Sequence, residues 1–354
     1  MTLLEQTIAA IHPIDHDAAA TADKRLNSLT KPPGSLGHLE EIVRRYAAMR
    51  RDGSARRGRG ALGVFVADHG IADEGVSAFP KAVTLEMLRN IAGGGAAISV
   101  LARRFGYELR VIDMGVETDT SATPFNGVTY RRIGPGTRNF LHGAAMTRDE
   151  ARRAIEIGIE IVRDFAASDV TLIGIGEMGI ANSTSATAVI SAVTGIPPAW
   201  LAGRGTGLDD AGVRHKINVI ERAVALHRSA FGDGLDILAA VGGFEIAAMT
   251  GVCLGGAAAN VPVVVDGFIA TAAATAANRI SPGLSEHMFF GHRSAEGGHR
   301  EALEWLRARP ILDLEMRLGE GTGAALAMST IEAALDLFHQ MATFQSAGVS
   351  GKIR

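Results

Sequence analysis

Several features are scarce in this 354-residue sequence, and each scarcity excludes a class of protein. The single cysteine, Cys253, cannot form an intrachain disulfide, and the N-terminus does not resemble a signal peptide. The formal charge is only −3, and basic residues are scattered apart from a short arginine-rich run at 50–59. No apolar run reaches the roughly 20 residues that cross a bilayer. We therefore expect a cytoplasmic protein that binds neither nucleic acid nor a membrane.

Small aliphatic residues are abundant instead, and they are arranged as short strands between helical patterns. Hydrophobic residues make up 47% of the chain and aromatic residues only 5%. Strands that are apolar throughout and separated by helix-length segments predict a parallel sheet covered on both faces. The expected fold is α/β, with a doubly wound, mostly parallel six-stranded sheet. The six predicted strands are residues 61–68, 109–115, 170–176, 237–243, 261–267 and 287–293.

Both ends of the chain carry helical patterns outside the predicted strands. The first 59 residues include "LEEIVRRYAAMRR", and the C-terminal part includes "TGAALAMSTIEAALDLFHQMATF". We expect residues 60–310 to form an α/β nucleotide-binding domain. Residues 1–59 and 311–354 are expected to join in a small helical subdomain.

Glycine and polar clusters follow most of the predicted strands. In open α/β sheets the ligand binds beyond the carboxyl ends of the strands, so these clusters are expected to converge on one crevice. The clusters are Asp68-His69-Gly70, residues 174–179, Gly242-Gly243, Asp266-Gly267 and His292-Arg293-Ser294. A metal site at Asp68 and His69 is weakly supported, because no metal-ligand spacing is present.

Residues 174–179 match the G-x-G-x-x-G pattern of a dinucleotide-binding turn. That pattern also requires an acidic residue about twenty positions later, but the first one after Asn182 is Asp209. In addition, Glu177 would bring negative charge close to a pyrophosphate. A smaller hypothesis is that the turn binds a single phosphate, with Lys216 adding positive charge. The alternative is that the glycines serve tight turns and that Lys216 is merely solvated.

A lone carboxylate, Glu320, lies between glycines in "RLGEGTGAAL", where it would ordinarily be a helix cap. This stretch is one of eight blocks that together resemble the nicotinate-nucleotide:dimethylbenzimidazole phosphoribosyltransferase family over nearly the whole chain. The blocks are "LTKPPGSLGHLE", "VADHGIADEGVSAFP", "GGGAAISVLAR", "GTRNF", "GIGEMGIANST", "GRGTGLDD", "HRSAEGGH" and "RLGEGTGAAL".

The resemblance implies transfer of ribose 5-phosphate from nicotinate mononucleotide to 5,6-dimethylbenzimidazole or a related base, in cobalamin nucleotide-loop assembly. It also implies a homodimer that needs neither cofactor nor metal. The implied catalytic residues are Glu320, as general base, and Glu177, which would support either the ribose or the positive charge that develops on it. The implied phosphate or nucleotide contacts are Gly176, Gly179, Lys216, Ser294 and Gly319. The implied base-binding residues are Ser77, Phe79, Met178 and Leu318. For Phe79, Met178 and Leu318 a purely structural role in the core is the alternative.

The sequence departs from the family pattern at three positions. Lys81 and Glu86 stand where glutamines are frequent, which leaves the acceptor base open, and Ala181 stands where glycine is usual. Two other functions remain open from the sequence. A dehydrogenase would bind a nicotinamide dinucleotide, and a non-catalytic nucleotide sensor would not need a base at position 320.

Overall fold

A seven-stranded sheet, parallel throughout, organises residues 1–350, the part of the chain that the computed structural model describes. Its strand order is β3-β2-β1-β4-β5-β6-β7. The strands are β1 (Arg59–Ala67), β2 (Glu108–Gly115), β3 (Val128–Tyr130), β4 (Val170–Met178), β5 (Val263–Val265), β6 (Met288–His292) and β7 (Pro310–Leu312).

Helices cover both faces of this sheet, which confirms the doubly wound α/β fold. They are α1 (Leu3–Ala9), α2 (His16–Ser28), α3 (His38–Arg50), α4 (Ala82–Ala92), α5 (Ala97–Phe105), α6 (Arg148–Ala167), α7 (Asn182–Thr194), α8 (Pro198–Leu201), α9 (Asp210–His227), α10 (Gly234–Val241), α11 (Phe244–Ala258), α12 (Phe268–Ile280), α13 (His299–Trp305), α14 (Thr322–Gln340) and α15 (Phe344–Ala347). No helix among residues 1–350 is both long enough and apolar enough to span a membrane.

Strand β1 shows why its sequence is apolar at nearly every position. Side chains alternate between the two faces of a strand. Leu62, Val64 and Val66 pack into the hydrophobic core that includes α2–α5 and α14. Ala61 and Phe65 enter the opposite core, which includes α6, α7 and α9–α13. Because both faces are buried, a run such as "ALGVFVA" is required.

One predicted strand is wrong, and two strands were not predicted. Residues 237–243 were expected to form a strand, but residues up to Val241 belong to α10. Asp233 caps this helix, accepting the N–H of Asp236, whose side chain accepts the N–H of Asp233 in return. A short apolar run does not distinguish a strand from a buried helix, and here the capping box decides. Strands β3 and β7 escaped prediction because each is a three-residue edge strand.

Helix α14 contacts α3, and it also packs on β4, β5, β6 and β7. Helix α1 instead contacts α6 and α11 on the opposite face. A separate terminal subdomain therefore stays a prediction, and its residues 351–354 lie outside the described chain.

Strand order reverses between β1 and β4, because β2 and β3 lie on one side of β1 whereas β5, β6 and β7 lie beyond β4. At such a switch point the loops leaving two neighbouring strands turn to opposite faces and open a crevice. Glu177 lies at the carboxyl end of β4, paired with Phe65 of β1. The fold thus places this carboxyl at the expected ligand position.

Candidate active site

A cavity of about 310 Å³ lies at this switch point. Segments that follow β1, β4, β5, β6 and β7 line it, which is where the sequence predicted a crevice. Most of the lining comes from residues 76–79, 177–183, 266–270, 292–296 and 317–319. The Gly242-Gly243 cluster is absent from the lining because it joins α10 to α11 rather than following a strand.

The structure brings eight of the eleven predicted site residues together around this cavity. They are Ser77, Phe79, Glu177, Met178, Gly179, Ser294, Leu318 and Gly319. The other three predicted residues do not line the cavity, although each either adjoins in the chain or contacts a residue that does. They are Gly176, Lys216 and Glu320.

Glu177 is a buried carboxyl in the wall of the cavity. The side-chain amide of Asn182 donates a hydrogen bond to its Oε2. Burial raises the pKa of Glu177 to about 8, an effect that Asn182 opposes and that the charges of Glu245, Asp266 and Glu320 reinforce. Gly319 has a φ of 86°, and a Cβ atom there would lie 2.5 Å from Glu177 Oε1, so a side chain at this position would be strained and would displace the carboxyl.

Glu320 is held in a strained backbone conformation just before α14. Its φ of 62° is left-handed, between Gly319 at 86° and Gly321 at 89°. The side chain is buried, and its Oε2 has no hydrogen-bond partner among the described residues. Burial raises the pKa of its carboxyl above the ordinary value, the N–H of Ile98 opposes this, and the Asp266 charge adds to it.

Asp266 and His292 line the same cavity, and neither was among the predicted site residues. The Asp266 carboxylate accepts the N–H groups of Gly321 at 3.2 Å and Ala324 at 2.8 Å, and so caps α14 from outside the helix. His292 Nε2 lies 3.9 Å from Asp266 Oδ1, and its buried Nδ1 has no partner in the described chain. In the sequence both are visible only as polar residues after strands, a pattern that does not reveal a cap for a helix far away in the chain.

Two of the three glycines of the G-x-G-x-x-G match serve packing rather than a dinucleotide turn. Gly174 and Gly176 lie inside β4, not in the turn after it. A Cβ at Gly174 would lie 2.7 Å from Met328 Sδ of α14, and one at Gly176 would lie 2.2 Å from the backbone nitrogen of Gly321. Both glycines therefore let α14 and the Glu320 loop approach the strand.

Lys216 is fully buried beneath the cavity wall, so the solvated-lysine alternative is wrong. Its ammonium group donates to Ser183 Oγ at 2.8 Å and to the carbonyl of Gly203 at 3.3 Å. Burial lowers the pKa of Lys216 to about 8, and the Glu296 charge opposes that shift. Ser183 lines the cavity, and the lysine lies behind it.

The mouth of the cavity is apolar on one side. Phe79 is 51% exposed and Leu318 is 59% exposed, so neither is a core residue, while Met178, at the end of β4, is half-buried. Ser77 Oγ lies 3.0 Å from Thr206 Oγ1, which joins the loop after β1 to the loop after α8.

The three departures from the family pattern differ in their relation to the cavity. Glu86 is exposed on α4, and Lys81 pairs with Asp73 at 2.7 Å; neither lines the cavity. Ala181 does line it and has a φ of 72°, a conformation that glycine adopts without strain. This explains why glycine suits that position.

His69 is bound within the core rather than directed at a metal. Its ring nitrogens lie 2.9 Å from Ser185 Oγ and 2.6 Å from Glu245 Oε1, and all three side chains are buried. Among residues 1–350 no group of three or more His, Cys, Asp or Glu side chains is placed to hold a metal ion.

Comparisons with known proteins give one consistent picture. A family model described as phosphoribosyltransferase matches residues 11–349. The chain is 48% identical over 350 residues to a nicotinate-nucleotide–dimethylbenzimidazole phosphoribosyltransferase from Geobacter sp. (strain M21), covering 99% of this chain and 100% of that protein. The corresponding protein of Chloroflexus aggregans is 50% identical over 352 residues, covering 99% of both. The crystal structure of CobT from Thermus thermophilus superposes with a TM-score of 0.90 at 45% identity, covering 95% of this chain and 100% of that one.

Proposed function

Because this chain belongs to the nicotinate-nucleotide–dimethylbenzimidazole phosphoribosyltransferase family, we propose that it transfers ribose 5-phosphate from nicotinate mononucleotide to 5,6-dimethylbenzimidazole or a related base. The products are α-ribazole 5′-phosphate and nicotinate, the step that builds the lower-ligand nucleotide of cobalamin. The bond from the anomeric carbon to the pyridinium nitrogen breaks, and its electron pair neutralises the leaving ring. The leaving group therefore needs no proton.

The acceptor needs a base, and Glu320 is the residue we assign to that role. When one azole nitrogen attacks the anomeric carbon the ring becomes cationic, and the proton on its other nitrogen must be removed. The observation that carries this assignment is the strained, buried Glu320 with an unpartnered Oε2 next to the cavity wall. Strain of this kind persists where the surrounding structure and the chemistry require it. The raised pKa also makes Glu320 a stronger base than an exposed glutamate.

We assign Glu177 to the ribose hydroxyl groups rather than to charge stabilisation. With a pKa of about 8, its carboxyl is largely protonated at neutral pH and acts as a hydrogen-bonding group. Gly179, Ser294 and the buried Lys216 would bind the 5′-phosphate through N–H, hydroxyl and ammonium donors. To contact the phosphate, the Lys216 ammonium group would have to extend beyond Ser183, to which it already donates a hydrogen bond.

The acceptor base would lie at the apolar mouth of the cavity. Phe79 and Leu318 expose surface that a flat heterocycle would cover, with Met178 and Ser77 beside it. Attack from the face opposite nicotinate converts the β-linkage into an α-linkage, so the two rings must occupy opposite sides of the ribose.

The test is to mix the purified protein with nicotinate mononucleotide and a panel of bases and to identify the products and their anomeric configuration. We expect an α-linked ribazole phosphate and equimolar nicotinate. A β-linked product would contradict direct inversion, and reduction of a nicotinamide dinucleotide would support the dehydrogenase alternative.

We also propose that the reaction needs no metal and that the protein is a cytoplasmic homodimer. A mononucleotide donor carries no pyrophosphate for a magnesium ion to bind. Full activity is therefore expected in excess chelator, and a strict requirement for added magnesium would argue against this donor.

A further inference from the structure

The carboxylate of Glu296 lies in the cavity wall among the groups assigned above to the substrate phosphate. Both of its oxygens accept the backbone N–H of Gly205, at 2.9 and 3.2 Å. Glu296 is only 9% exposed, yet it belongs to the cavity lining. Residues 203–207, which follow α8, form a glycine loop. Backbone N–H groups of such loops bind phosphate oxygens in other proteins, so the Glu296 carboxylate occupies a position that suits a phosphate.

Two other proposed phosphate donors, Ser294 and Lys216, contact either the Glu296 backbone or the loop that Glu296 binds. Ser294 Oγ accepts the backbone N–H of Glu296 at 3.1 Å. The buried Lys216 ammonium group has two acceptors, Ser183 Oγ and the Gly203 carbonyl, and carries a third proton. The negative charge of Glu296 helps to keep Lys216 protonated despite its burial. These hydrogen-bond donors together favour an anion, and in the free protein the Glu296 carboxylate is that anion.

The glycine loop fits closely around this carboxylate. A Cβ at Gly203 would lie 2.4 Å from Glu296 Oε1 and 2.6 Å from the backbone nitrogen of Gly297, so a side chain at residue 203 would disturb both the carboxylate and the backbone beside it. The loop is also held at Gly205, whose carbonyl accepts from Arg317 at 3.3 Å, and at Thr206, whose hydroxyl contacts Ser77. While Glu296 holds the Gly205 N–H, that donor is not free for a substrate.

We propose that Glu296 is a built-in competitor of the substrate phosphate, holding the Gly205 N–H in the free enzyme and moving aside when phosphate binds. The proposal rests on the phosphate position given under the proposed function. Its consequence is a weakened apparent affinity for phosphate, because only molecules with a displaced Glu296 bind it.

The test is calorimetric titration with inorganic phosphate, at fixed ionic strength, of the wild type, Glu296→Gln and Glu304→Gln. Glu304 is exposed on α13, so its substitution removes the same charge away from the cavity. We expect Glu296→Gln to bind phosphate about tenfold more tightly, since a nearby like charge is removed and the neutral amide oxygen that remains is a weaker acceptor for the Gly205 N–H. Glu304→Gln should match the wild type.

Unchanged or weaker phosphate binding by Glu296→Gln would overturn the proposal and leave Glu296 as a support for the loop. Glu296→Ala is the second variant, and it should bind phosphate at least as tightly as Glu296→Gln. Failure of both variants to fold, seen by circular dichroism, would likewise assign a structural role. The turnover assay with nicotinate mononucleotide tests the proposed function separately, because the phosphate titrations do not depend on it.

Discussion

Backbone strain at Glu320 is the residue-scale feature that links this fold to its proposed chemistry. A left-handed conformation costs a residue with a side chain about 1–2 kcal/mol. The cost is tolerated here because Asp266 accepts the N–H groups of Gly321 and Ala324 and holds the loop in place. The same contacts keep the Glu320 side chain buried beside the cavity.

Substituting Glu320→Gln keeps the size of the side chain and removes the base. We expect kcat to fall by about 10²- to 10⁴-fold, with little change in the binding of nicotinate mononucleotide. Steady-state kinetics and a direct binding measurement check the two parts. A non-catalytic sensor would show no turnover with or without the substitution and would keep its nucleotide binding. Equal losses of binding and rate would indicate a structural role for Glu320.

Glu315 offers a matched control for this substitution. It is exposed in the segment between β7 and α14 and also has a left-handed φ, of 56°. Glu315→Gln therefore reproduces the change in chemistry and in backbone setting without touching the cavity. Its kcat should equal that of the wild type.

Glu177 predicts a pH dependence of stability. Its pKa of about 8 in the folded protein exceeds the value of about 4.3 in an unfolded chain. The folded state therefore retains a proton that the unfolded state releases, and stability falls as pH rises between these values, by up to about 1.4 kcal/mol per pH unit. Because glutamine does not ionise, the Glu177→Gln variant should not lose this stability as the pH rises.

Urea denaturation measures the free energy of unfolding of both proteins. The value for Glu177→Gln minus the value for wild type should increase from pH 5 to pH 8 and level off above pH 8. Glu315→Gln, tested in parallel, should show no such trend. A difference between Glu177→Gln and wild type that stays constant across this range would contradict the raised pKa.

At the scale of elements, the contact between α6 and α11 depends on glycines. A Cβ at Gly158 of α6 would lie 1.9 Å from the Ala248 carbonyl oxygen, and one at Gly251 of α11 would lie 1.9 Å from the Ile155 carbonyl oxygen. The two helices thus approach backbone to backbone. This close contact supports α11, whose Glu245 binds the His69 ring.

Gly251→Ala should force these helices apart. Overpacking of a core costs about 1–3 kcal/mol, and we expect the upper part of that range because the clash is with backbone. Chemical denaturation measures it. Gly143→Ala is the control, since no atom lies within 4 Å of its added Cβ, and it should leave stability nearly unchanged.

At the scale of the whole molecule, the proposed homodimer determines the mass in solution. The proposed homodimer predicts a light-scattering mass of twice 37.0 kDa, unaffected by substitutions inside the cavity such as Glu320→Gln. A mass of one chain at all concentrations would refute the dimer.

The sequence alone determined the α/β class, five of the seven strands and the edge of the sheet where the site lies. Apolar runs and glycine clusters are local signals, and the eight motif blocks carried the family resemblance. The strand predicted at residues 237–243 is wrong because a short apolar run does not distinguish a strand from a buried helix, and the capping box at Asp233 and Asp236 begins a helix that ends at Val241. The three-residue edge strands have too little apolar pattern to be detected.

Only the tertiary structure decided what the individual site residues contact. Gly176 is required by α14, which follows 146 positions later in the chain, and Asp266 caps that helix from the end of another strand. Burial, and with it the raised pKa of Glu177 and the lowered pKa of Lys216, depends on how layers close over a side chain. Closure of this kind depends on residues far apart in the chain, so no pattern of near neighbours in the sequence specifies it.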